Sequence, residues 1–414
     1  MYCVIPIFKE PFLHPLHENN GLSALWVKPK GDESFFIIQK HPDSDKVLED
    51  FKWLNEHSIL TPDKKILNHF YEFDKVTDIN YLYWDDTGKP FEKHITNNAI
   101  DFLSNKFYNV KKLNEIIPLS KHNEYCNDIM KSMDNLIVDS NDDYMNDVVK
   151  AFTSIEKNGI KVSNDICDIF DMRVKKHISN GKLYSNYNLW TTTGRPSNSF
   201  GSVNFAALPP EKRKSIIPEN DYLVEFDFDA YHLRLIADLV GYHTFNEESV
   251  HEHLAKWYEC SYEESKQKTF RLLYGGIDKQ TREKLPFFDL THNYINKKWN
   301  EINTHNLVST DIYRRKLLFK NYEDLNRNKV FNYLIQALET ESNIKKILKV
   351  QDYLYNKNTK LVLYGYDSFL FDFSQQDGVE TLKDIKSILE EGKHFTKSKM
   401  GLNYGEMQDI TKRL

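Results

Sequence analysis

Two aspartates stand in stretches that could hold them rigidly at a cleft. Asp227 falls within Leu223–Val240, LVEFDFDAYHLRLIADLV. Val224, Phe226 and Phe228 alternate there with Glu225, Asp227 and Asp229, the period of a half-buried strand. From Ala230 onward Leu233, Ile236, Ala237 and Val240 recur at helical spacing, so a helix with one apolar stripe follows. Asp229 reads as the N-cap of that helix. Asp227, one step earlier, has no such local role. The second aspartate, Asp367, lies in Lys360–Phe373, KLVLYGYDSFLFDF. This reads as two strands, Leu361–Tyr364 and Phe369–Phe373, around a tight turn at Gly365-Tyr366-Asp367-Ser368. Turn chemistry alone accounts for an aspartate at such a tip. Apolar strands on both sides imply burial, however, and a buried unpaired carboxylate is costly. A divalent cation shared with Asp227 would relieve that cost. Two strand-held carboxylates suit a pair of metal ions ~3.5–4 Å apart that clamp the attacking and leaving oxygens in phosphoryl or nucleotidyl transfer.

Between the aspartates lies Tyr262–Gly276, YEESKQKTFRLLYGG. It reads as a helix ending at Gly275-Gly276. Lys266, Phe270 and Tyr274 fall at i, i+4 and i+8 and share one face. A lysine can meet phosphates there as a point charge, with the two aromatic rings lying against a sugar and base. Without partners elsewhere, the same stretch is an ordinary helix with a mixed stripe.

The elements that position these groups belong to a chain of 414 residues, long enough for two or three domains. It is 40% hydrophobic, with 24 Tyr and 26 Phe, so a sizeable core is available. A net charge of −6 does not mark a nucleic-acid binder overall, so any such surface must be a local basic patch. One candidate is Arg173–Lys214: Arg173, Lys175, Lys176, Lys182, Arg195, Lys212, Arg213 and Lys214 stand against the single acid Glu211. Phosphate contact and a solvated face explain that stretch equally well. The four cysteines are far apart, without a CxxC pair. They suit a reducing compartment, the cytoplasm, and argue against a zinc site. No apolar run approaches a membrane span, and no partner membrane is expected.

Residues 1–115 read as a small α/β unit. Ser23–Val27 and Ser34–Ile38 form a hairpin around Pro29-Lys30-Gly31-Asp32. Asp45–Glu56 reads as a helix and Lys65–His69 as a strand. Residues 111–131 read as a loop feeding a helix. A polar turn at 141–146 precedes a helix over Tyr144–Lys157 that stops at Asn158-Gly159.

In order and spacing the motifs resemble those of family A, DNA polymerase I-like, DNA polymerases. The family's D-Y-S-Q-x-E-L-R appears as Asp227-Phe228-Asp229-Ala230-Tyr231-His232-Leu233-Arg234. Its R-x3-K-x3-F-G-x2-Y-G appears as Tyr262, Lys266, Phe270, Arg271, Tyr274 and Gly275. Its His-Asp-Glu hairpin appears as Tyr366-Asp367-Ser368, and its T-G-R segment as Thr193-Gly194-Arg195. Asn332-Tyr333-Leu334-Ile335-Gln336 resembles its N-x-P-x-Q helix. Asn204 and Arg213 sit where the family makes further template–primer contacts. The resemblance covers roughly residues 150–414.

That resemblance implies an α+β, multidomain architecture in the shape of a right hand: an antiparallel palm sheet, helical fingers and a vestigial thumb. The implied divisions are residues 1–115, a lobe resembling a degenerate 3′–5′ exonuclease; 116–158, connecting helices; and 159–414, the polymerase core. Within the core, 159–193 would be a reduced thumb, 194–245 and 327–414 the palm, and 246–326 the fingers. The implied catalytic residues are Asp227, Asp367, Lys266 and Tyr274, with Asp227 and Asp367 holding two Mg²⁺ ions. Phe270, His232 and Arg271 would bind nucleotide. Arg195, Asn204, Arg213, Asn332, Gln336 and Tyr366 would bind DNA.

The implied activity is extension of a primer with dNTPs on a DNA template. The reduced plan implies a phage or viral replication enzyme in the host cytoplasm, with a processivity or accessory protein supplying the grip that a short thumb lacks. Departures from the family leave two alternatives. His232 replaces a glutamate that helps exclude ribose, and Ser368 replaces the last glutamate as in the single-subunit RNA polymerases. Both favour a ribonucleotide-using primase or RNA polymerase. The short thumb and acidic balance favour a non-catalytic nucleic-acid-binding or virion protein. Tyr262 stands where the family has an arginine for the triphosphate, and Arg271 would restore a cation nearby. In the N-terminal region Ser23–Val27 carries no acid where an exonuclease needs Asp-x-Glu, and His69–Asp74 only faintly resembles a second exonuclease motif.

Overall fold

A computed structural model describes residues 1–10, 13–88, 115–131, 142–166, 172–198, 204–205, 208–245, 249–318 and 324–414. The side chain of Arg173, part of the loop expected from residue 111 and the start of the turn at 141 lie outside the described residues. The chain divides into two compact units, Met1–Thr192 with Ser197–Ile216, and Thr193–Pro196 with Ile217–Leu414. Among the described residues no helix is long and apolar enough to cross a membrane.

The first unit is built on a mixed five-stranded sheet. Strands β1 (Tyr2–Phe8), β2 (Leu22–Pro29), β3 (Phe35–Ile38), β4 (Ile59–Thr61) and β5 (Val76–Asp78) are ordered β3-β2-β1-β4-β5. β1–β2 and β2–β3 are antiparallel, and β4 runs parallel to β1 and β5. The expected hairpin is therefore present as β2–β3. Val4, Leu25, Val27, Ile37, Leu54, Ile59, Leu67 and Val76 form one buried cluster.

Two expectations fail in this unit. Asp45–Glu56 does not form a helix beyond a single 3₁₀ turn at Lys52–Glu56. The amides of Leu48 and Glu49 donate instead to the carbonyls of Gln39 and Ile38, and the Glu49 carboxylate accepts the Ile38 amide at 2.8 Å. Pairing with the strand edge thus consumes the donors a helix would need. Lys65–His69 lies in helix α1 (Lys64–Phe70) and is not a strand; Asp63 caps it by accepting the Ile66 amide at 3.0 Å. Helices α2 (Ile79–Thr87), α3 (Leu119–Lys131) and α4 (Asp143–Asn158) follow, α4 ending at Gly159 as expected. Short strand pairs β6 (Ile160–Lys161) with β7 (Lys182–Leu183), and β8 (Tyr187–Asn188) with β9 (Ser197–Asn198), complete the unit.

Two acids meet at the end of this sheet: Asp63, the cap of α1, adds to the burial that pushes the Asp78 carboxyl up to about 8. Asp78, at the end of β5, accepts the amides of Lys64 and Tyr81, which makes it a cap between two helices. Glu156 of α4 is the charged centre of the unit. Its carboxylate takes Lys65 Nζ at 2.6 Å, the Tyr187 amide at 2.6 Å and His69 Nε2 at 2.7 Å, with His14 Nε2 at 3.7 Å. The Leu16 amide donates to His14 Nδ1, so the His14 proton sits on Nε2 and faces Glu156. The carboxylate is filled by donors, and a lysine already balances its charge.

The second unit centres on an antiparallel sheet ordered β13-β14-β10-β15-β16. It comprises β10 (Tyr222–Phe228), the hairpin β13 (Lys360–Tyr364) and β14 (Ser368–Phe373), β15 (Thr396–Gly401) and β16 (Gln408–Asp409). A separate hairpin joins β11 (Leu307–Ser309) to β12 (Lys316–Leu318). The helices are α5 (Tyr231–Val240), α6 (Val250–Tyr258), α7 (Tyr262–Gly275), α8 (Lys279–Lys284), α9 (Pro286–His305), α10 (Arg327–Tyr353) and α11 (Val379–Leu389). Val224, Phe226 and Phe228 are buried as the alternation requires.

Candidate active site

The strand-to-helix turn after β10 places the first carboxylate. Asp227 pairs across the ladder with Ser368 on one side and Lys397 on the other. The chain then turns through Ala230, in the left-handed region at φ 50°, and α5 begins at Tyr231. Asp229 therefore does not cap α5. Its carboxylate instead takes Lys397 Nζ at 2.8 Å and Arg234 at 3.6 Å. Arg234 also donates to the carbonyls of Asp229 and Phe245, which fixes the turn.

The β13–β14 hairpin places the second carboxylate. The Gly365 amide donates to the Ser368 carbonyl, and Tyr366 adopts φ 73°. A side chain on Gly365 would meet Ser368 Oγ at 2.6 Å, so the Ser368 hydroxyl packs where a Cβ would lie. The Phe228 amide donates to the Asp367 carbonyl at 2.9 Å, which ties the hairpin tip to the end of β10.

These two aspartates line a cleft of about 300 Å³. Among the described residues neither carboxylate has an ion-pair partner. Burial, then Asp367, then Glu225, push the Asp227 carboxyl up to about 7. Asp367 stands exposed at the hairpin tip and not buried as expected, because only the flanking strand residues pack into the core; desolvation by the protein around it, and then Glu339, still raise its carboxyl.

One wall of the cleft is α7. Its start is set by a capping box in which Ser261 accepts the Glu264 amide and Glu264 accepts the Ser261 amide. Lys266, Phe270 and Tyr274 all face the cleft, joined by Tyr262. The rings of Phe270 and Tyr274 stack at 6.0 Å, and Phe270 is 39% exposed. Arg271 is exposed on another face of α7 and does not line the cleft. His232, on α5, lines it beside Tyr274.

Arg195 reaches the cleft from the Thr193-Gly194-Arg195 segment, and its guanidinium lies 4.0 Å from the centre of the Tyr366 ring. α10 pins that segment. Arg315, paired with Glu341 at 2.6 Å, donates to the Thr193 carbonyl at 2.7 Å. Gln336 takes the Thr193 hydroxyl at 3.3 Å and donates to Asn332 at 3.2 Å. Asn332, Gln336 and Tyr366 thus stand around Arg195 without lining the cleft themselves. Asn204 and Arg213 belong to the first unit. Asn204 is exposed there, and Arg213 Nε donates to the Leu208 carbonyl at 2.9 Å.

Three cleft residues escaped the sequence reading: Glu339, Lys397 and His251. Glu339 had a signal, because Asn332, Gln336 and Glu339 fall at i, i+4 and i+7 of one helix. Lys397 had none, since its position opposite Asp227 is set by sheet order. A larger cavity of about 400 Å³ lies beside Arg234, Asp238 and Phe245. Its acid, Asp238, is already paired with His394 at 2.8 Å, so titratable chemistry rather than volume selects the cleft.

No protein-family profile and no curated protein sequence matches the chain. Among solved structures, the POL domain of Pol1 from M. smegmatis, in complex with a DNA primer-template and dNTP, superposes with a TM-score of 0.69 at 13% sequence identity, over 98% of this chain and 95% of that chain. The chain has the fold of a DNA polymerase I POL domain.

Proposed function

We propose that the chain is a template-directed DNA polymerase that extends a primer with dNTPs, in replication of a phage or viral genome. The observation that carries this reading is the meeting of Asp227 and Asp367 in one cleft, walled by the Lys266–Phe270–Tyr274 face of α7. The fold shared with a POL domain solved with primer-template and dNTP supports it.

The donor set fits a pair of Mg²⁺ ions. Two carboxylates without ion-pair partners among the described residues, each raised above its ordinary value, lower their cost by sharing hard cations, which take oxygen ligands. Asp227 and Asp367 would hold the ions, which supply the charge that activates a primer hydroxyl and stabilises a leaving pyrophosphate. Lys266 meets the phosphates of the nucleotide. Lys397, on the same cleft, takes the place of the cation missing at Tyr262, a place that Arg271 does not fill; burial lowers the His251 pKa, so its ring stands there as a neutral hydrogen-bonding group. Phe270 and Tyr274 lie against the base, and His232 against the sugar. Arg195 steadies the primer end over Tyr366, and Asn332 and Gln336 support it from α10. Asn204, Arg213 and the basic stretch around it contact the duplex backbone. An accessory protein supplies the grip missing from residues 159–193.

Primer extension with Mg²⁺, comparing dNTPs with rNTPs, tests the reading. Template-dependent extension by dNTPs is the expected result. Extension by rNTPs alone would move the chain to the primase alternative, and no extension with intact duplex binding would move it to a non-catalytic role.

A further inference from the structure

Glu339 is 1% exposed, yet it lines the cleft. Its two oxygens are shared among groups from distant parts of the second unit. Arg195 Nη2 donates to Oε1 at 3.1 Å and Arg195 Nε lies 2.9 Å from Oε2, a two-point guanidinium–carboxylate contact. His232 Nε2 lies 3.3 Å from Oε2. The other ring nitrogen, His232 Nδ1, is 2.6 Å from the Tyr274 hydroxyl.

The order of protons along this chain follows from the carboxylate. At 3.3 Å the carboxylate attracts an N–H and repels a ring lone pair, so its charge favours the tautomer with hydrogen on His232 Nε2. In that tautomer Nδ1 accepts, and the Tyr274 hydroxyl donates to it. Burial pushes the Tyr274 phenol up to about 12, so that hydroxyl keeps its proton. Glu339 thereby fixes the tautomer and rotation of His232, and through His232 the direction of the Tyr274 hydroxyl.

Glu341, two positions along α10, provides an internal control. It is also fully buried and paired, with Arg315 at 2.6 Å, but neither Glu341 nor Arg315 lines the cleft. That pair holds the Thr193 carbonyl, and so the segment that carries Arg195, without itself reaching the cleft. The Glu339 pair holds two residues that face the cleft, Arg195 and His232.

We propose that Glu339 is the positioning residue that joins primer-end recognition to sugar selection, by holding Arg195 and His232 on one carboxylate beside the nucleotide. The proposal rests on the polymerase reading above for its functional consequence, but its proton order does not.

Two measurements test it. The first is the ring ¹⁵N spectrum of His232 in the full chain. Wild type should show hydrogen on Nε2, and E339Q should lose that preference. A wild-type ring protonated at Nδ1 overturns the proposal whether or not the chain extends primers. The second is the ratio of kcat/KM for dNTP and matching rNTP, measured for wild type, E339Q, E339A, H232A, the double variant H232A/E339A, and E341Q. E339Q and E339A should lower the discrimination by about tenfold, a single steric contact's worth. In the H232A background, E339A should change the ratio no further, because its effect runs through His232. The effect of E339A on extension from the primer end, which runs through Arg195, should persist in that background. E341Q should lower the melting temperature and leave the ratio unchanged. An unaltered ratio in both Glu339 variants, or the same loss in E341Q, overturns the proposal. A wild-type chain that extends no primer refutes the polymerase reading instead, and the ¹⁵N result still decides the Glu339 linkage.

Discussion

The Phe228 amide donates to the Asp367 carbonyl at 2.9 Å. This one bond locks the end of β10 to the tip of the β13–β14 hairpin, so the backbones that carry Asp227 and Asp367 cannot drift apart. Both side chains then enter the same cleft, with β15 on the far side of β10 bringing Lys397 opposite Asp227. A pair tied through the backbone in this way is prepared before substrate arrives, which is what electrostatic catalysis demands.

Asp227→Asn and Asp367→Asn should each lower kcat for primer extension by about a hundredfold or more, the size of effect seen when one preorganised charge-stabilising group is lost. Duplex affinity should change little. Single-turnover extension beside filter binding checks both. Near-normal extension by either variant would remove that aspartate from the chemistry.

Stability should depend on pH through Asp227. Its carboxyl sits at about 7 in the folded chain, raised by burial first and then by Asp367. An unfolded aspartate titrates near about 3.9. Between those values the folded chain holds a proton that the unfolded chain has lost. The contribution of this group is therefore full below about pH 4 and is lost as pH rises through about 7. A divalent cation binds the ionised carboxylates, so Mg²⁺ should raise the melting temperature more at pH 8 than at pH 6. Thermal melts with Mg²⁺ or EDTA read this directly, and Asp227→Asn should flatten both dependences. An equal Mg²⁺ shift at the two pH values would contradict the assignment.

Nucleotide affinity should follow the residues of the cleft rather than the order of the motif. Lys266→Ala and Lys397→Ala should each raise KM for dNTP, by about tenfold for a charge-assisted contact worth roughly 1.5 kcal/mol. Arg271→Ala should leave KM within about twofold, since surface substitutions away from such contacts cost little. Steady-state kinetics separate the three. A large effect from Arg271→Ala alone would show that α7 turns its other face to the nucleotide.

His232→Ala should admit rNTPs. Wild-type discrimination should be modest, on the order of 10–200-fold, because one steric contact in a pocket is worth only about 1–3 kcal/mol. Competition between dNTP and rNTP on one template measures it. Wild-type preference for rNTPs would reverse the assignment of sugar.

Changing Lys212, Arg213 and Lys214 together to Ala should weaken duplex binding about equally for all sequences. The log–log salt slope should become shallower by about 0.9 for each phosphate that these side chains no longer neutralise. Arg195→Ala should instead impair extension from the primer end more than binding, and should cost stability by leaving buried Glu339 without its guanidinium. A salt titration and single-encounter extension distinguish the two. Long products from the isolated chain would show that residues 159–193 need no helper.

The local pieces that carry the chemistry were legible from residue pattern alone. Alternation through Leu223–Phe228 gave way to a 3.6-residue period after Ala230, and β10 and α5 follow it. The hairpin around Gly365 and the shared face of Lys266, Phe270 and Tyr274 were legible for the same reason, since period and turn chemistry are local. Where local pattern met a competing long-range bond, it failed. The Asp45–Glu56 segment has helical spacing, but the edge of β3 takes its amides. Asp229 sits at the N-cap position by sequence, yet Lys397 from β15 claims its carboxylate. That β10 lies between β14 and β15, and hence that Lys397 faces Asp227, was not legible in any one segment and follows from how distant strands assemble. The same holds for the pairing of Arg195 and His232 on Glu339. Sheet order and the meeting of buried charges depend on elements far apart in the chain, and no periodicity in one segment encodes which distant side chain will complete it.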